Sequence, residues 1–194
     1  MSAPASAAAP RHFDVIVIGA GAAGMMCAIE AGKRGRRVIV LDHAKAPGEK
    51  IRISGGGRCN FTNLATAPDR FLSHNPRFCA SALAGFRAAD FLAMVDRAGI
   101  AWHEKTLGQL FCDGKATQIT EMLMRRMAGA ELWLDTGLES LSRDADGFHA
   151  RTSRGVIRAK QVVVASGAKS IPKMGATGLA YRIAAGFGLA VTET

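Results

Sequence analysis

No stretch of the 194 residues approaches the roughly 18 consecutive apolar positions of a membrane-crossing helix. The opening, Met1 to Pro10, is rich in Ala and Ser but has neither a basic start nor a Leu-rich core, so it does not read as a secretory signal. Residues 1–12 are therefore expected to be a flexible tail, the chain to be cytoplasmic, and a membrane partner is not expected. The four cysteines, Cys27, Cys59, Cys79 and Cys112, include no CxxC pair and no metal-ligand spacing. That speaks against a zinc site or a disulfide framework and for a reducing compartment. Six Pro without a period exclude collagen-like and linker readings, and the five His form no catalytic constellation, so no general base is assigned.

Acid is also in short supply. Lys and Arg number 25 against 16 Asp and Glu, giving 25 − 16 = +9. The excess is spread as 9 − 4, 8 − 6 and 8 − 6 over residues 1–63, 64–130 and 131–194. There is no helix-turn-helix, RNP or zinc signature to go with it, so no nucleic-acid partner is expected. Part of the surplus is the run Lys33, Arg34, Arg36 and Arg37, which suits either a solvated helix end, where cations complement the dipole, or a phosphate patch.

Glycine is abundant, 22 residues, and three groups of them stand out. The first follows Val15–Ile18, a β-branched run suited to a parallel strand buried on both faces. Gly19, Gly21 and Gly24 form GxGxxG with Ala22 and Ala23 inside it, a helix-forming segment Met25–Gly32 follows, and the strand Val38–Leu41 is closed by Asp42. In such a βαβ unit the first Gly makes the turn, the second lets backbone approach a pyrophosphate, and the third lets the helix pack closely. The helix N-terminus then offers N–H groups to phosphate, and Asp42 is placed to accept from ribose hydroxyls while repelling a 2′-phosphate.

The second cluster is Ser54-Gly55-Gly56-Gly57-Arg58-Cys59-Asn60, preceded by Lys50. Three consecutive Gly break any helix or strand and leave bare backbone, with Arg58 as a cation and Ser54 and Asn60 as neutral polar groups. Such a loop suits an extended, anionic and aromatic ligand. Residues 64–130 read mainly as helices, over Arg77–Phe86, Ala88–Ala98 and a stripe of Ile119, Met122, Leu123 and Met127. From Glu131 the pattern turns to short strands: Leu132–Leu134, Leu138–Arg143, Phe148–Thr152, Val156–Ala159 and Val162–Ala165. Asp-Gly and Arg-Gly turns between them suggest an antiparallel meander. Its last strand runs into the third cluster, Ala165-Ser166-Gly167, at a strand's carboxyl end where ligands meet backbone.

Together the three clusters resemble the FAD-binding domain of flavoproteins of the glutathione-reductase type, an α/β Rossmann-like fold with a parallel sheet, a β-meander and helices. The run Ile53 to Asn63, with Lys50, Leu107–Phe111, Gly167–Pro172 and Gly175–Gly178, resembles the signature of BaiN/YhiN-like, or aminoacetone-oxidase-like, flavoproteins. Asp42 stands for a common Glu, Ala165-Ser166-Gly167 for Ala-Thr-Gly, and Leu179-Ala180 for Asp-Gly. The resemblance implies FAD held by Gly19, Gly21, Ala22, Ala23, Gly24 and Asp42 at the ADP end. It implies Lys50 and Ser54–Asn60 toward the flavin, Leu138 at the adenine through its backbone, and Ala165, Ser166 and Gly167 from the strand end. Cys59 is open as a redox thiol or a packing group. The implied activity is an FAD-dependent oxidoreductase acting on a small molecule, an amine or a substrate linked to NAD(P)H. Because members are about twice as long, residues 13–194 are expected to be the N-terminal part of such a domain, lacking the substrate domain and the closing segment. The alternative is an inactive nucleotide-binding module.

Overall fold

The computed structural model describes residues 9–168 and 178–193. The residues fall into two compact units, 1–49 with 123–194 and 50–122. The run 13–194 is therefore interrupted: the second unit is inserted between the strands Val38–Leu41 (β2) and Glu131–Trp133 (β6), which are parallel neighbours in the first unit's sheet.

That six-stranded sheet has the order β6-β2-β1-β9-β8-β7. Here β1 is Arg11–Ile18, β7 Leu138–Asp144, β8 Gly147–Thr152 and β9 Gly155–Val164. The four strands β6, β2, β1 and β9 are parallel, and the apolar runs Val15–Ile18 and Val38–Leu41 suit central strands buried on both faces. Ile16, Val17, Ile39 and Val40 have no exposed surface, and each such side chain contributes about 1.5–3 kcal/mol of burial. The strand β1 begins two residues inside the expected tail, because Arg11 and His12 find partners in Ile157 and Arg158.

Two strand expectations need correction. Leu132–Leu134 is no part of the meander; it supplies β6, parallel to β2 at the sheet's opposite edge. Val156–Ala159 and Val162–Ala165 are one strand, β9: Lys160 and Gln161 stay extended because β1 is laddered along them, with Phe13↔Ala159 and Val15↔Gln161. The meander is thus β7-β8-β9, antiparallel throughout. The helix Ala22–Lys33 (α1) follows β1 and buries Gly24, Met25, Ala28 and Ile29, a stripe at helical spacing.

The second unit was expected to be mainly helical but also holds a three-stranded antiparallel sheet, β3-β5-β4, formed by Asn60–Asn63, Gln109–Cys112 and Trp102–Glu104. Strands of three or four residues, one of them Asn-Phe-Thr-Asn, carry too little pattern to be read from sequence. The segment Glu49–Gly57 (α2) opens as a helix and breaks at Ser54. Ala80–Gly85 (α3) is shorter than expected, whereas Ala88–Arg97 (α4) matches its apolar stripe and buries Met94 and Val95. The helix α5, Thr117–Arg126, buries Ile119, Met122 and Leu123. A last helix, α6, runs from Leu179 to Gly186. No described helix is long and apolar enough to cross a membrane.

Candidate cofactor site

The carboxyl ends of β1, β2, β6 and β9 are stitched by backbone bonds. The Gly19 amide donates to Leu41 O at 2.7 Å, Ala165 N to Ile18 O at 2.8 Å, Asp42 N to Trp133 O at 2.9 Å and Thr136 N to Asp42 O at 2.8 Å. This brings together four residues distant in sequence, Gly19, Asp42, Leu138 and Ser166, around a cleft of about 40 Å³ that Thr136, His43 and Leu179 also line. A ligand pocket is usually some 300 Å³ or more, so the cleft by itself is too small for a whole dinucleotide.

The three fingerprint glycines are required for different reasons. A Cβ on Gly19, whose φ is +114°, would lie 2.4 Å from Ala165 O, and one on Gly24 would lie 1.8 Å from Gly19 O. The fold alone demands both. A Cβ on Gly21 would meet no protein atom within 4 Å. Nothing in the chain explains that glycine, whereas a pyrophosphate drawn up to the backbone does. Gly21 caps α1 without a side-chain bond, there is no acid in the first turn, and Ala22 and Ala23 are exposed there. The helix end thus offers N–H groups and a positive dipole to an anion.

Asp42 is mostly buried, its side chain 14% exposed. Its Oδ2 accepts from Ala20 N at 2.6 Å and its Oδ1 from Ala44 N at 2.9 Å. The carboxylate therefore clamps the glycine turn, with His43 Nδ1 3.4 Å from Oδ1, while Oδ2 retains a further lone pair for a ribose hydroxyl. Opposite it, Ser166 Oγ is buried with no hydrogen-bond partner among the described residues. An orphaned hydroxyl costs about 1–3 kcal/mol, and a polar ligand in the cleft would relieve it. A cradle that only glycine permits, a carboxylate with a spare acceptor and an unsatisfied hydroxyl together fit the dinucleotide end of FAD.

In the second unit, Ser54 is extended (ψ 146°), Gly55 and Gly56 are left-handed (φ 58° and 67°), and Gly57 and Cys59 follow at φ 87° and 52°. The turn is held from inside: Cys59 N donates to Ser54 O at 3.0 Å, Ala116 N to Gly57 O at 2.7 Å and Cys112 N to Arg58 O at 2.9 Å. A Cβ on Gly55 would press on the Phe111 ring at 2.5 Å, whereas one on Gly56 would meet nothing. Arg58, Asn60 and Lys50 are exposed. Cys59 itself is buried, 4% exposed, and burial pushes its thiol up despite a bond with Ser54. Burial, with Cys59 and Asp113 nearby, pushes Cys112 up to about 11. Thiols raised in this way are poorer nucleophiles, which favours packing over redox work for Cys59. No described cluster of His, Cys, Asp or Glu is suited to hold a metal ion.

The residues Lys169, Ser170, Ile171, Pro172, Gly175, Ala176 and Thr177 lie outside the described residues. Sequence reasoning missed Thr136, fully buried and bonded to Asp42, along with His43 and Leu179. Thr136 was findable as the residue just past a parallel strand's carboxyl end, the place where such sheets bind ligands.

Residues 13–194 match the family model described as the HI0933-like protein Rossmann domain. The chain is 49% identical over 95% of its length to a ribosomal RNA dihydrouridine synthase of Escherichia coli, covering 46% of that protein. It is 28% identical over 89% of its length to a 3-dehydro-bile acid delta(4,6)-reductase of Clostridium scindens, covering 43% of it. Among solved structures, glycine oxidase from Geobacillus kaustophilus superposes on 93% of the chain and 60% of its own, with a TM-score of 0.58 at 20% identity. That likeness shows a shared fold. The chain spans about half the length of the curated relatives it matches.

Proposed function

The chain belongs to the HI0933-like family of FAD-binding Rossmann oxidoreductases, and from that premise we propose that the protein it comes from is a flavin-dependent reductase of carbon–carbon double bonds conjugated to a carbonyl, with uridine in ribosomal RNA as its substrate. The names of both relatives denote such a reduction. Uridine carries its C5=C6 bond beside the C4 carbonyl, and a 3-dehydro steroid with double bonds at positions 4 and 6 carries them in line with its 3-carbonyl. The product gains two electrons and two protons. The 49% match favours the nucleoside over the steroid.

FAD, when bound and reduced by NAD(P)H, would supply two electrons as a hydride, with a proton from solvent completing the addition across the double bond. The chain's own residues hold and orient it. Gly21, Ala22 and Ala23 present backbone N–H groups to the pyrophosphate, Asp42 accepts from the ribose, and Leu138 and Ser166 line the adenosine end. Arg58, exposed on a turn locked from both sides, offers a fixed cation for the flavin end, with Lys50, Asn60 and the Ser54–Gly57 backbone beside it in sequence. NAD(P)H is the proposed source of electrons. The observation that carries the cofactor assignment is Gly21, a fingerprint glycine with open space where its side chain would be.

The test is to purify the full-length protein, record its flavin absorbance, and supply NADPH with ribosomal RNA or uridine-containing fragments. The expected result is a yellow protein that oxidises NADPH and adds two hydrogens to a uridine, read by mass spectrometry. A colourless protein that stays so after incubation with FAD overturns the cofactor role. A yellow protein that instead oxidises an amine with oxygen overturns the reduction and leaves the cofactor role standing.

A further inference from the structure

The second unit exposes several large apolar side chains. Phe71 is 47% exposed, Leu72 fully, Phe78 77% and Leu107 85%. They do not belong to an unfolded stretch. Phe71 N bonds Pro68 O, Phe78 N bonds Asn75 O, Arg77 N bonds Asn75 Oδ1 and Asn75 N bonds Ser73 Oγ, a chain of local turns along the segment. Leu107 is held outward on a left-handed residue, φ 62°, a conformation costing a leucine about 1–2 kcal/mol. Asn63 keeps it there, its Nδ2 donating to Leu107 O at 2.9 Å while Leu64 N bonds Gly108 O. Between these elements lies a cavity of about 500 Å³, lined by Asn63, Ala65, Thr66, Arg70, Phe71 and Leu107. The volume is that of a pocket for a nucleotide-sized ligand.

Arg70 is the charged residue in the cavity's lining, and the chain that runs past it is basic. From Lys50 to Phe78 there are five Lys and Arg against a single acid, Asp69, which lies 3.7 Å from Arg70 in an exposed pair of little consequence. Exposed aromatic rings interleaved with Arg are the means by which proteins take up unpaired nucleic acid: bases stack on the rings while the cations meet phosphates. A paired helix hides its base faces and could not use Phe71 and Phe78 in this way.

We propose that the Arg70–Phe78 segment and the adjoining cavity form a binding surface for single-stranded RNA, with one base stacked between Phe71 and Leu107, a second on Phe78, and Arg70 and Arg77 on the backbone phosphates. This rests on the ribosomal-RNA reading above and adds to it the surface that grips the strand. None of the residues named for it is among those assigned to FAD.

The test titrates the full-length protein into a fluorescent oligouridylate of about 12 nucleotides, within the ~4–16-nucleotide footprint of single-strand sites. Flavin absorbance and melting temperature are followed in the same samples. The Phe71→Ala, Phe78→Ala double variant should raise Kd at least tenfold with flavin content and melting temperature unchanged, while Phe78→Tyr keeps wild-type affinity. Arg70→Gln with Arg77→Gln should flatten the salt dependence by about 1.4 in log Kd per log salt, about 0.7 for each phosphate. A duplex of the same length should bind more weakly than the single strand. The assignment falls if the double variant binds RNA like wild type; a lowered melting temperature with unchanged RNA binding would give this face to a protein contact instead. If the wild-type protein binds no RNA, the ribosomal-RNA reading fails and this surface with it. Wild-type binding that the substitutions leave intact removes this surface alone.

Discussion

The two glycine turns meet opposite demands. In the turn after β1, Gly19 and Gly24 are dictated by neighbouring backbone at 2.4 and 1.8 Å, and Gly21 by nothing in the chain. In the turn after α2, the positive φ of Gly55, Gly56 and Gly57 is dictated by the path itself, and only Gly55 is also pressed by a side chain, that of Phe111. The first turn is thus built by packing, with one position reserved for a ligand. The second is built by backbone conformation, and its surroundings are loose enough that most of its surface faces outward. What the contrast teaches is that a glycine's reason can be read from what a methyl group would strike.

That contrast is open to attack by substitution, beginning where the effect should be largest. Gly24→Ala puts a methyl into the Gly19 carbonyl and should cost about 3 kcal/mol, with flavin lost along with the fold, read by melting temperature and absorbance. Gly55→Ala should cost about 2 kcal/mol, from its left-handed φ and the Phe111 ring, and Gly56→Ala only about 1 kcal/mol, from φ alone. Equal costs would mean that the turn shifts freely and that Phe111 does not bound it. Gly21→Ala should change the stability of flavin-free protein by less than about 0.5 kcal/mol, because φ −80° suits any residue, yet weaken FAD retention at least tenfold. Retention at the wild-type level would show that no pyrophosphate approaches there.

The smallest expected effect lies away from both turns, at the start of α4. Asp90 Oδ2 accepts from Arg87 N at 2.8 Å and Arg87 Nε at 3.1 Å, and these bonds, the side-chain one first, hold its carboxyl below its ordinary value. A carboxyl lowered in the folded state adds stability above its unfolded pKa, and loses it as pH falls through the folded one. Asp90→Asn should therefore lower the melting temperature slightly at pH 7, with the difference closing in acid. A difference constant down to strong acid would show that the charge contributes nothing.

Much of the first unit was legible. β1, α1, β2 and Asp42 were placed from apolar runs and one glycine spacing, because each local signal there agrees with the parallel sheet that buries it. Gly19, Asp42, Leu138 and Ser166 were named from sequence, and the structure brings them to one cleft. Other features depend on distant partners. The continuity of β9 through Lys160 and Gln161 comes from β1, which no local window contains. In the second unit, Asn60–Asn63 is a strand only because Phe111, Leu110 and Gln109 lie beside it. Its polar composition describes an exposed, partly buried edge, which reads as a loop. The role of Cys59 stays open in the sequence because sequence does not report burial, and burial is what raises its thiol.

The pairing of β1 with β9 has a consequence in time. Ile18 is laddered to Val164, so the glycine turn acquires the wall formed by Ala165 and Ser166 only after another 164 − 18 = 146 residues have been made. At about 5–20 residues per second, a ribosome takes roughly 7–30 s to deliver them. Until then the β1 edge that β9 covers in the finished sheet has no partner, along one of the most apolar stretches of the chain. An unpartnered apolar strand edge is a template for aggregation, so the order of synthesis delivers the cofactor cradle before the strand that shields it.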